Sequence, residues 1–193
     1  AEILFYIQME LDKLVVLAVA GAEVAGIYAI VMRLADLTAV PVRSFNMLLV
    51  QRLMRAPETL KSIALRVGLE SLIFVISIGG FILIVAVLWV YPNVLGRNVS
   101  VISGVLALTL TVPGFRNTIE YHAEILYARG QTGIRMINLA LLAALKVVVL
   151  GFVLTRASTT EAWLQALNPA FATLWLTSAL LTYSALRRPA IRI

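Results

Sequence analysis

Residues 62–91 read SIALRVGLESLIFVISIGGFILIVAVLWVY, and their reading decides the fold. The two charges of this run, Arg66 and Glu70, fall in its first third, and no further charged side chain follows until Arg97. A helix needs ~20 mostly apolar residues to cross the hydrocarbon layer of a bilayer. Working outward, five further stretches meet or approach that condition: 1–19, 23–50, 99–127, 133–155 and 163–186. The sequence therefore predicts an all-α integral membrane protein, residues 1–193 forming one bundle of six transmembrane helices. The first stretch is interrupted by Glu10, Asp12 and Lys13.

Composition agrees. Hydrophobic residues make up 61% and charged residues 13% of the 193, against roughly 45–50% and about 25% in a soluble domain. A water-soluble fold of this size has too little interior to hide that much apolar surface. The formal charge of +6 does not point to nucleic acid, because the basic residues cluster at the ends of apolar runs and form no hydrophilic patch. Cysteine is absent, which removes disulfides and thiol chemistry, and the single His makes a metal site improbable. The sequence calls for no cofactor. It begins Ala1-Glu2-Ile3-Leu4, without an initiator Met or a signal peptide, which reads as a fragment lacking its upstream part.

Charge fixes the expected topology. Arg52, Arg55, Lys61 and Arg66 surround the second connection, Arg129 and Arg135 the fourth, and Arg187, Arg188 and Arg192 the tail. The opposite side carries Arg97 and Arg156. Under the positive-inside rule both ends lie in the cytoplasm. Pro41, Gly79-Gly80, Pro113-Gly114 and Asn168-Pro169 fall inside spans, where they predict kinks and candidate hinges.

Ionisable side chains deep in a span face protein or a wet cavity, because lipid penalises them. At about 100° per residue, Arg33, Asp36 and Arg43 share one sector of the second span, and Arg33 can pair with Asp36. Arg116, Glu120 and Glu124 follow at four-residue steps, so Arg116 can pair with Glu120 while Glu124 needs water or another helix. Lys146 lies near the centre of the fifth span. Arg33, Lys146, Arg43, Asp36 and Arg116 are the candidate cavity residues. Glu10 and Lys13 in the first span read as a structural pair or as part of the cavity wall, Glu70 as a side chain reaching the interface, and His122 as interfacial. No phosphate loop, nucleophile elbow or zinc pattern occurs, so an enzyme is not expected. A cation-lined cavity in a kinked bundle suits an anionic cargo.

The stretch Glu10-Leu11-Asp12-Lys13-Leu14-Val15-Val16-Leu17, then Gly21, Ala25-Gly26-Ile27-Tyr28-Ala29 and Arg33-Leu34, resembles the opening of the second half of the polysaccharide and oligosaccharide-lipid flippases. Tyr127-Ala128-Arg129-Gly130 is similar to the family as well, whereas Ile27 departs from its Ala-Gly-Tyr pattern. These flippases share a superfamily with the multidrug and toxin extrusion transporters. The resemblance implies one lobe of a two-lobe, alternating-access transporter in a bacterial cytoplasmic membrane. Its cargo would be an anionic glycan linked to a polyprenyl diphosphate, with Arg33 facing the diphosphate or acidic sugars. The opposite wall would come from an amino-terminal lobe or a second copy. The alternatives are a cation-coupled drug exporter, a noncatalytic membrane-complex subunit, or a membrane-embedded glycan enzyme using Glu120 or Glu124 with His122.

Overall fold

A computed structural model describes residues 2–56 and 62–187, with side chains at 7–8, 10–56 and 62–187. The described residues are all-helical: α1 (Glu2–Arg55), α2 (Ile63–Val90), a single turn α3 (Arg97–Ser100), a 3-10 turn (Leu106–Thr109), α4 (Val112–Ala128), α5 (Thr132–Arg156) and α6 (Thr160–Ala185). By length and composition, three helical stretches can cross a membrane: Glu10–Arg55 of α1, α2 and α5. Their outward faces are apolar, with Trp89 of α2 84% and Val148 of α5 66% exposed. Surface of that kind belongs in lipid.

The first helix is two arms. Gly21 has φ 83° and ψ 178°, outside helical geometry and in a region that only a residue without Cβ occupies comfortably. The arms fold against each other there. Tyr28 donates its hydroxyl to Asp12 Oδ2 at 2.8 Å, although sixteen residues of straight helix would separate them by about 24 Å. The expected connection at residues 20–22 is this break, and the second arm runs to Arg55, beyond the expected end at residue 50.

Two sequence expectations need correction. Gly79-Gly80 does not interrupt α2, which is continuous to Val90. A Cβ on Gly80 would lie 3.5 Å from Thr38 Cγ2, an ordinary contact distance, so α2 passes α1 closely there. The stretch 99–127 is not one helix either. Pro113 opens α4 at its first turn, where a missing N–H costs nothing, and the residues before it form turns. The irregular backbone is satisfied from α6. Asn168 Oδ1 accepts from Thr111 N and Oγ1 at 3.2 and 2.7 Å, while its Nδ2 donates to the Leu108 carbonyl. Unhelical backbone persists at membrane depth only when paired in this way.

The central element is α4, on which α1, α2, α5 and α6 all pack. Gly114 permits the approach of α2, because a Cβ there would meet the Phe74 ring at 2.7 Å. Tyr28, Met32, Phe81, Leu106, Leu164 and Phe171 form the larger apolar core, and Val42, Ile73, Tyr121 and Ile125 belong to a second core toward Leu186.

Candidate functional site

An ionic seam joins α1 to α4. Asp36 Oδ1 lies 2.9 Å from Arg116 Nη2 and 3.8 Å from Arg43 Nη2. Arg43 also grips Glu120 with both prongs of its guanidinium, Nε to Oε1 at 2.8 Å and Nη2 to Oε2 at 3.3 Å. Such a fork fixes geometry as well as charge. Arg116 Nη1 donates to the Met32 carbonyl at 3.3 Å. Glu124 finds its partner on α5, Arg135 Nη2 at 3.2 Å.

Three of the five candidate residues, Asp36, Arg43 and Arg116, are thus brought together. The pairings differ from those expected along one helix. Arg33 does not pair with Asp36, and Arg116 does not pair with Glu120, because α1 and α4 exchange partners across their interface. Arg33 is exposed on the same side of α1 as Arg43 by helical register and makes no ion pair among the described residues. The seam is half open, the side chains of Arg43 and Asp36 being 46% and 35% exposed.

Lys146 stands apart. It is 2% exposed, its Nζ 3.0 Å from Asp12 Oδ2 and 2.7 Å from the Gln8 carbonyl. Tyr28 completes the shell around Asp12, and Phe171 presents its ring 5.9 Å from the ammonium. Lys146 and Arg33 therefore share no cavity. The buried Asp12 carboxylate offsets its charge. Glu10 and Lys13 do pair, at 2.6 Å.

A third cluster lies where the sequence suggested interfacial side chains. Glu70 and His122 are both buried and 3.1 Å apart, Glu70 Oε1 to His122 Nε2. Trp175 Nε1 donates to Glu70 Oε1 at 2.6 Å, and the Tyr183 hydroxyl donates to Oε2. The other imidazole nitrogen, Nδ1, meets Ser178 Oγ at 3.1 Å. The carboxylate beside His122 is thus Glu70, where the sequence reading sets Glu120 or Glu124 with it. A carboxylate, imidazole and hydroxyl in a row can pass a proton, but Ser178 is fully enclosed and offers a substrate no approach. The legible signal was a stripe on α6 with Trp175, Ser178 and Thr182 at steps of three and four on one face.

Between α2 and α6, with Phe115 and Thr118 of α4 as its floor, runs an apolar groove of about 820 Å³. On the other side of α4, Arg43 and Glu120 line a cleft of about 340 Å³ together with Met47 and Val50. Asn117 ties three helices together, donating to Ser77 Oγ at 2.8 Å and Thr38 Oγ1 at 3.2 Å. Among the described residues, no group of His, Asp or Glu is arranged to hold a metal ion. No family model, curated protein or solved structure matches the chain.

Proposed function

We propose that the chain is one lobe of a membrane transporter that moves a polyprenyl-diphosphate-linked oligosaccharide across a bacterial cytoplasmic membrane. The observation that carries this reading is the half-open seam of Asp36, Arg43, Arg116 and Glu120 on an otherwise apolar bundle. Partly exposed charges at span depth cannot face hydrocarbon, so this side of α1 and α4 borders water or a second protein body. A transporter supplies both, a wet cavity enclosed by two lobes that rock about it. The lobe has six spans with both ends in the cytoplasm, α3 through α4 making the fourth crossing as an interrupted element. Its facing wall is an amino-terminal lobe or a second copy of the chain. The resemblance of residues 10–55 to the oligosaccharide-lipid flippases supplies the cargo class.

The seam itself is nearly balanced, since Asp36 and Glu120 offset Arg43 and Arg116, and Arg33 remains the exposed cation for an anionic headgroup. One observation favours the related cation-coupled exporter: the aromatic groove beside Glu70 suits an amphipathic organic cation. Deleting the coding sequence in the organism that makes the protein tests both. The flippase reading expects lipid-linked oligosaccharide to accumulate on the cytoplasmic leaflet, with export restored by the wild type and only weakly by Asp36→Ala at equal membrane abundance. Unchanged glycan export in the deletion strain, with new sensitivity to cationic amphiphiles, would overturn it in favour of the exporter.

A further inference from the structure

Helices α2 and α6 both pack on α4 but barely touch each other, and the apolar groove is the gap between them. Along α6 its lining runs from Trp175 to Ser184, about 14 Å at the rise of a helix. That is close to the depth of one leaflet, half of the ~30 Å hydrocarbon layer. The inner end is closed by rings. Phe74 packs on Phe115 with 5.0 Å between centroids, and Phe115 on Trp175 with 5.6 Å. On the rim, Val75, Leu176 and Leu180 are 64%, 51% and 65% exposed, so the groove opens sideways from the bundle. An apolar exterior of this kind belongs in lipid, and lipid is what the groove opens to.

The outer end is cationic. Arg66, in the first turn of α2, holds its guanidinium carbon 5.3 Å from the centroid of the Tyr183 ring near the end of α6. Arg187, just past α6, is exposed and lines the groove itself. Glu70 is the one carboxylate in the lining among the described residues, and its oxygens are already engaged. Oε1 accepts from Trp175 and meets His122, while Oε2 accepts from Tyr183. Aromatic walls alone would suit an organic cation. Two guanidinium groups at the mouth oppose one, and the carboxylate that would hold it is occupied.

We propose that this groove binds an acyl chain of an anionic phospholipid, drawn from the leaflet on the Arg66 and Arg187 side, with the phosphate held between those two side chains. Guanidinium groups match phosphate in charge and in geometry, and basic pockets between membrane helices recruit anionic headgroups. The volume of about 820 Å³ lies within the range of pockets that enclose small ligands. The bound chain braces α2 against α6 where the protein leaves them apart. The site is independent of the transported cargo, and its failure leaves the transport reading untouched.

Brominated lipids test this, because bromine on an acyl chain quenches a tryptophan that it touches. Trp175 lines the groove, Trp89 is 84% exposed on the outside of α2, and Trp163 is 4% exposed in the core. Trp89→Phe therefore leaves Trp175 to report on the groove, and Trp175→Phe leaves Trp89 to report on bulk lipid. Each variant is reconstituted in phosphatidylcholine vesicles containing a small, equal fraction of brominated phosphatidylglycerol or brominated phosphatidylcholine. The site predicts that the anionic lipid quenches Trp89→Phe several-fold more than the zwitterionic one, whereas Trp175→Phe shows no preference. Adding Arg66→Gln and Arg187→Gln should remove the preference and leave the quenching by phosphatidylcholine, since the apolar walls remain. Arg187→Gln alone, at an exposed position that folding tolerates, should weaken the preference in part. Equal quenching of Trp175 by the two lipids overturns the proposal, as does a preference that survives both substitutions. A groove closed to both lipids would show that protein fills it. Quenching relieved by tetraphenylphosphonium, with no advantage for phosphatidylglycerol, would assign it to an organic cation, and either result refutes the lipid site.

Discussion

Asp12 and Lys146 are separated by 134 residues and joined at 3.0 Å. Both are almost fully enclosed, and taking either partner away leaves a bare charge in an apolar interior. Asp12→Asn should therefore lower stability by about 3–5 kcal/mol. The double variant Asp12→Leu with Lys146→Met should recover most of that loss, because a neutral apolar pair incurs no desolvation cost. Thermal unfolding in detergent measures both. A double variant no more stable than Asp12→Asn alone would show that the pair contributes more than mutual neutralisation. The depth of Lys146 was legible from its place in the middle of an apolar run. Its partner was not, since reading along a helix identifies pairs three or four residues apart and is blind to those made between helices. The same blindness assigned Arg116 to Glu120, when the fold gives Arg116 to Asp36 and Glu120 to Arg43. His122 and Glu70 were misplaced for a related reason. Each looked interfacial by position alone, and the partners that enclose them, Trp175, Tyr183 and Ser178, lie on α6.

At the level of elements, two glycines set the architecture for different reasons. Gly21 turns the chain between the arms of α1 with a backbone that L side chains rarely adopt, although a Cβ there would meet nothing within 4 Å. Gly21→Ala should cost about 1–3 kcal/mol through backbone strain alone. Gly114 is helical, and its requirement is steric, the Phe74 ring standing 2.7 Å from where a Cβ would be. Gly114→Ala should cost a similar amount, about 1–3 kcal/mol, through overpacking. Phe74→Leu should rescue Gly114→Ala and leave Gly21→Ala unrelieved, and Gly26→Ala, with open space around it, serves as the control. Rescue of both, or of neither, would contradict this division. The break at residues 20–22 was readable from small residues between two apolar runs. The interruption ahead of α4 was not, because residues 99–112 are uncharged and mostly apolar, and hydropathy does not distinguish a buried turn from a helix. What permits the turn is Asn168, a residue whose role exists only once α6 lies beside it.

For the whole molecule, the apolar exterior was plain in the composition, as was the all-helical class. The division of that exterior into lipid-facing and cavity-facing sides depends on the seam, and the central claim is that the α1–α4 side is wet. Val40 on α1 and Val148 and Phe152 on α5 are comparably exposed, at 59%, 66% and 59%. Geometric access is therefore similar, and only the surrounding medium separates them. Val40 lies by helical register on the side of Arg33, Asp36 and Arg43. Single-cysteine variants Val40→Cys, Val148→Cys and Phe152→Cys, in native membranes and treated with a small hydrophilic maleimide, measure that medium directly, because the thiolate that reacts forms only in water. The account predicts rapid labelling of Val40→Cys, approaching that of Asn98→Cys in the turn-rich segment after α2, with Val148→Cys and Phe152→Cys nearly inert. Val40→Cys as inert as the two α5 positions would contradict it, placing the ionic seam against lipid or a dry interface and removing the cavity on which the transport reading depends.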